Sequence, residues 1–105
     1  MTTVNSLDEK LRFAIANKRL LQIRYGDATR VVEPHDYGVQ KGTTRLLVYQ
    51  QRRAGGTPGR SVSGWRLLDV AKIETCDVLT DPFRGSRGQA HEHHYEWDEL
   101  YARVA

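Results

Sequence analysis

The stretch Leu21-Gln22-Ile23-Arg24-Tyr25-Gly26-Asp27-Ala28-Thr29-Arg30-Val31-Val32-Glu33-Pro34 decides the fold. Leu21, Ile23 and Tyr25 alternate with Gln22 and Arg24, the two-residue period of a strand with one buried face. Gly26-Asp27 is turn chemistry, and a second β-rich run follows until Pro34 stops it. The segment therefore reads as a β-hairpin.

Upstream, Ser6-Leu7-Asp8-Glu9 has the S-x-x-E form of a capping box, and Leu7, Leu11, Ala14 and Ile15 recur at helical spacing. A helix is expected from residue 6 to 18, its Lys18-Arg19 end facing the negative pole of the macrodipole. Phe13 falls off the apolar stripe and either packs at a flank or meets a partner.

Downstream, Arg45-Leu46-Leu47-Val48-Tyr49-Gln50 is apolar through its centre, as in a strand covered on both faces or curled into a barrel. Residues 52 to 64, rich in glycine, read as a long loop. Trp65 to Val70 and Ile73 to Leu79 read as two more strands, the last stopped by Asp81-Pro82. Trp97 to Val104 reads as a short helix or as a strand that closes the sheet. The expectation is one mainly β (α+β) domain over residues 1–105. Its parts are an N-terminal helix, a strongly bent antiparallel sheet of the SH3-like or Sm-like small-barrel type over residues 20–80, and a C-terminal segment, 81–105.

Length and composition set the limits of function. At 105 residues the chain has room for one core and excludes a dinucleotide-binding domain with its substrate domain, or an eightfold α/β barrel. The net charge is +3 with a pI near 9.2, and mean hydropathy is −0.61. Charge is uneven along the chain. Between Asp36 and Asp69 there is no acidic residue, while Lys41, Arg45, Arg52, Arg53, Arg60 and Arg66 are all basic. From Gln89 to Tyr101 the sign reverses with Glu92, Glu96, Asp98 and Glu99. The middle is a candidate anion-facing surface; the acidic tail either shields it or, the commoner case for a charge run, is simply solvated. The single cysteine, Cys76, allows no intramolecular disulfide and no multi-cysteine zinc site, and it reads as a buried thiol in a reducing compartment. No export signal and no apolar run of membrane-spanning length is present, so the expected location is the cytoplasm, away from membranes.

Motifs of enzymes fail one by one. Ala54 to Ser61 echoes a phosphate-binding loop, but the lysine and the following helix are missing. Gly59-Arg60-Ser61-Val62-Ser63 has serine where a nucleophile elbow needs its second glycine. His91-Glu92-His93-His94 is not H-E-x-x-H, because the second histidine would have to fall at Tyr95. No metal, cofactor or catalytic residue is assigned.

Several segments together resemble the WYL family of bacterial regulatory domains. They are Leu11 to Tyr25 with Arg30-Val31-Val32-Glu33-Pro34, then Thr44 to Tyr49, then Arg66-x-Leu68 with Val70-Ala71-Lys72-Ile73. Small stand-alone members share Glu33-Pro34-His35 with Tyr37-Gly38, Tyr49-Gln50, Ser61-x-Ser63-Gly64, Trp65-Arg66, Phe83-Arg84-Gly85 and Trp97-Asp98. Thr44 and Arg45 stand where the family has its Trp and Tyr, so the role of those aromatics does not transfer. Lys72 replaces an arginine, keeping charge and losing the bidentate fork.

The resemblance implies a non-enzymatic regulatory module that binds an anionic ligand, a nucleotide or single-stranded nucleic acid. No winged helix-turn-helix is expected ahead of the domain, so any signal is expected to pass through another protein or the chain's own oligomer. The candidate binding residues are His35, Tyr37, Arg45, Tyr49, Gln50, Ser61, Ser63, Trp65, Arg66 and Lys72. Arg66 would pair a phosphate, Trp65 or Tyr49 would stack a base, and Ser61, Ser63 and Gln50 would orient it. The alternative is a protein-interaction or oligomerisation adaptor using Phe13 and the acidic tail.

Overall fold

The computed structural model describes residues 6–54, 63–87 and 96–105. One helix, α1 (Leu7–Asn17), is followed by strands β1 (Arg19–Tyr25), β2 (Ala28–Gln40), β3 (Thr43–Ala54) and β4 (Gly64–Asp69). A single 3₁₀ turn (Val70–Lys72), β5 (Ile73–Pro82) and β6 (Glu99–Arg103) complete the described chain. The glycine-rich segment 55–62, with Ser61, and the His91–His94 cluster lie outside the described residues.

The capping box forms as expected. Ser6 Oγ accepts from the Glu9 amide at 3.2 Å, and Glu9 Oε1 accepts from the Ser6 amide at 3.3 Å. The helix ends one residue earlier than expected, because Lys18 turns to a left-handed φ of 53° as the C-cap. The last turn therefore holds no basic residue, and Lys18 lies just past it.

All strand pairing is antiparallel, in the order β4-β3-β2-β1-β5. The hairpin is present, with Leu21 opposite Val32 and Tyr25 opposite Ala28. Its second strand does not stop at Pro34, however, and runs on to Gln40. Pro34 sits opposite Val48 and Asp36 opposite Leu47, so His35 is the extra residue of a bulge, where the missing proline N–H is tolerated. The bulge bends β2 and divides its outer edge. β1 pairs with it up to Val32, and β6 takes over from Asp36 to Val39. The Trp97–Val104 segment thus holds a strand, β6, placed beside β2.

The sheet is strongly bent and stays open, since β4 and β5 are terminal strands that do not pair with each other. A side-chain bond crosses part of the gap, with the Asp69 amide donating to Tyr25 Oη at 3.2 Å. β6 approaches β2 so closely that a Cβ on Gly38 would sit 2.9 Å from Leu100 Cα. Only glycine fits there.

The core lies between α1 and the concave side of the sheet. Leu11 and Ala14 of α1 meet Leu21, Ile23, Val32, Leu46 and Val48, all fully buried. Cys76 joins this core, and burial raises its thiol pKa to about 11, further raised by Asp77 and opposed by Lys10. Phe13 is 48% exposed, and its ring is approached by the Arg19 guanidinium at 6.0 Å. No helix among the described residues is long and apolar enough to cross a membrane.

Candidate functional site

Where β2 bends, the register lines up Glu33, Tyr49 and Trp65 across three neighbouring strands. Val48, next to Tyr49, points into the apolar core, so strand alternation puts this row on the other side of the sheet. Glu33 is buried nonetheless, at 4% exposure. A buried carboxylate must have its oxygens satisfied. Arg87 Nε donates to Oε1 at 2.9 Å and Arg87 Nη2 to Oε2 at 2.7 Å, a bidentate fork. Gln51 Nε2 donates to Oε2 at 2.9 Å. His35 Nε2 lies 3.1 Å from Oε1, and to donate to an ionised carboxylate it must carry the hydrogen.

Burial by itself would raise the Glu33 pKa. The hydrogen bonds from His35, Arg87 and Gln51, with the Arg87 charge, outweigh it and hold the carboxyl at about 2. The same fork raises the pKa of Arg87. The two form a permanently charged pair at any physiological pH.

The aromatic neighbours form a column. His35 packs edge-on against Trp65 with ring centroids 4.8 Å apart, and Trp65 meets Tyr49 edge-on at 5.3 Å. The Arg87 guanidinium carbon sits 3.6 Å from the Tyr49 ring centroid, stacked on its face. Phe83 also packs against His35, with ring centroids 5.5 Å apart. Beside the pair opens a cleft of about 600 Å³, lined by Glu33, Gln51 and the segment Pro82 to Arg87. Gly85 shapes this segment, with φ +104° and the backbone of Ala105 against it. The Ser86 amide donates to the Ala105 carbonyl at 3.0 Å, which ties the segment to the chain just after β6.

The structure sorts the sequence-derived candidates into separate groups. His35, Tyr49 and Trp65 come together in the column. His35 is fully buried, packed and bonded to Glu33, which makes it a structural histidine rather than an exposed contact. Tyr37 is elsewhere, facing α1. Its hydroxyl donates to Asp8 Oδ1 at 2.7 Å, and burial followed by that carboxylate raises its pKa. Arg12 lies over both Tyr37 and Tyr101, at 5.8 and 5.0 Å.

The basic middle is partly neutralised. Asp69 is the cross-strand partner of Arg45 and ion-pairs with both Arg45 and Lys72, each at 3.5 Å. Gln50 is buried and accepts from Arg30 Nη1 at 2.9 Å. Arg66 Nη1 donates to the Trp65 carbonyl at 2.8 Å, and strand alternation turns it away from the Trp65 side. Ser63 is exposed just before β4, and Ser61 is outside the described residues.

Sequence reasoning missed Gln51 and the Arg84–Arg87 segment as site residues, and read Glu33 only as part of a strand end. The Glu33-Pro34-His35 and Phe83-Arg84-Gly85 motifs were the signal available, but nothing in their spacing joins them. Compared with known families, curated proteins and solved structures, the chain matches no family model, no curated protein and no solved structure.

Proposed function

We propose that this protein is a non-enzymatic, ligand-binding regulatory module that takes an anionic ligand, a nucleotide or single-stranded nucleic acid, in the cleft beside Glu33 and Arg87. The observation that carries this reading is Arg84. It is exposed on the cleft and has no acidic partner among the described residues, while the neighbouring Arg87 is already matched by Glu33. A guanidinium without an acidic partner among the described residues, lining a concave site together with an Arg87 that is stacked on Tyr49, suits recognition of an anion attached to a ring.

The titratable groups favour binding over chemistry. A general base works best with a pKa near ambient pH. Glu33, held at about 2 with both oxygens occupied, is a fixed charge. The test is the fluorescence of Trp65 and Trp97 during titration with nucleotides and short single-stranded DNA and RNA at two salt concentrations. A saturable change that is lost in Arg84→Ala supports the reading, and no response to any of these ligands refutes it.

A second reading, a protein-interaction or oligomerisation adaptor, has its own observation in the exposure of Phe13 and, at 39%, of Leu100 on β6. Light scattering over a concentration series separates the two. A stable oligomer that loses mass in Phe13→Ser, together with no anion binding, favours the adaptor.

A further inference from the structure

Which anionic ligand fits the cleft follows from the charge and shape of its two arginines. Arg87 is restrained on most sides. Its Nε and Nη2 edge is taken up by the Glu33 fork, and one face of its plane lies on Tyr49. Yet its side chain remains 37% exposed and lines the cleft. Those contacts leave open its Nη1 edge and the face remote from Tyr49. That face is a flat, rigid platform on which a planar ring can stack, as bases stack on guanidinium planes. Glu33 cancels the Arg87 charge, so the platform is close to neutral, and Arg84 is the cleft-lining cation that has no acidic partner among the described residues. A tract of nucleic acid backbone is gripped through several phosphates and needs several such charges. A volume of about 600 Å³ lies within the range of small-molecule sites.

Resting on the anion-binding reading above, we propose that the cleft is a site for a small planar aromatic ligand carrying one anionic group, of the nucleoside monophosphate type. Its ring lies on the open face of Arg87 and its anion pairs with Arg84. The column Trp65, Tyr49, Arg87 then continues into the ligand, which is why Trp65 emission reports on binding.

The test is titration of the wild-type protein with adenosine 5′-monophosphate, ribose 5-phosphate, adenosine and a ten-residue oligothymidylate, each at low and high salt. Adenosine 5′-monophosphate is expected to bind about tenfold more tightly than ribose 5-phosphate, the usual worth of one stacked base, and more tightly than adenosine. Arg87→Lys keeps a cation for Glu33 but removes the plane. It is expected to remove that tenfold preference, so that adenosine 5′-monophosphate and ribose 5-phosphate bind alike.

Equal affinity for the phosphates with and without the ring overturns the proposal, and this comparison holds in wild type even if the variant does not fold. Tighter, steeply salt-dependent binding of the oligothymidylate also overturns it, but leaves the anion-binding reading standing. Failure of all four probes removes both.

Discussion

Two regions of this small protein are closed to water by opposite means. Under α1, Leu11, Leu21, Ile23, Leu46 and Val48 are buried against one another. On the other side of the bent sheet, Glu33 is buried just as deeply, but against His35, Gln51 and Arg87. The first region is what folds the chain, since each fully buried aliphatic side chain contributes about 2 kcal/mol. Compared with an apolar pair of the same volume, the second brings little extra stability, because the desolvation of a buried ion pair roughly offsets its attraction. What it does bring is position. Four donors on one carboxylate hold Arg87 flat against Tyr49 at the cleft. A polar cluster that stabilises the fold no better than an apolar one would, yet fixes a cation beside an opening, is what the proposed binding site requires.

The largest effect belongs to the apolar region. Leu46→Ala should cost about 4 kcal/mol, the transfer term plus the cavity left in a packed site, measured by urea unfolding. A loss under about 1 kcal/mol would mean that the core is looser than its burial indicates.

Next comes the ion pair, where the two partners are unequal. Arg87→Ala strands a carboxylate that is 5% exposed and should cost about 3 kcal/mol, whereas in Glu33→Ala the half-exposed guanidinium can turn to water and about 1 kcal/mol is expected. Equal losses would break this part of the comparison.

The same carboxylate predicts acid sensitivity. Its pKa is about 2 in the folded chain against an ordinary 4.5, so the fold gains from its ionisation above pH 4.5. That gain, about 3 kcal/mol, drains away as pH falls from 4.5 toward 2. Unfolding midpoints across this window should flatten in Glu33→Gln relative to wild type.

The smallest effect on stability is expected at Arg84, within about 0.5 kcal/mol for Arg84→Ala, since it is exposed and makes no ion pair among the described residues.

What was legible in the sequence was local. Ser6 and Glu9 announce the helix start, and the Leu21-Ile23-Tyr25 alternation announces the hairpin. The bulge at His35 was not legible, because a proline in a strand pattern reads as a stop unless the neighbouring strands are known. Nor was Asp69's role. Counted along the chain, residues 37 to 68 are uniformly basic, but folding sets Asp69 directly opposite Arg45 and removes part of that charge. The candidate site was read in part. His35, Tyr49 and Trp65 do converge, yet their organising residues come from a segment 54 positions beyond Glu33, and a pair so distant leaves no periodic trace.

The most direct measurement is nucleotide affinity of two single variants beside wild type, Arg84→Ala and Arg66→Ala, followed by Trp65 fluorescence. Arg66 is the strongest anion candidate along the chain, and Arg84 the strongest in the folded molecule. The account predicts that Arg84→Ala loses at least tenfold in affinity while Arg66→Ala binds like wild type. The reverse result would place the ligand away from the Glu33–Arg87 cleft and contradict it.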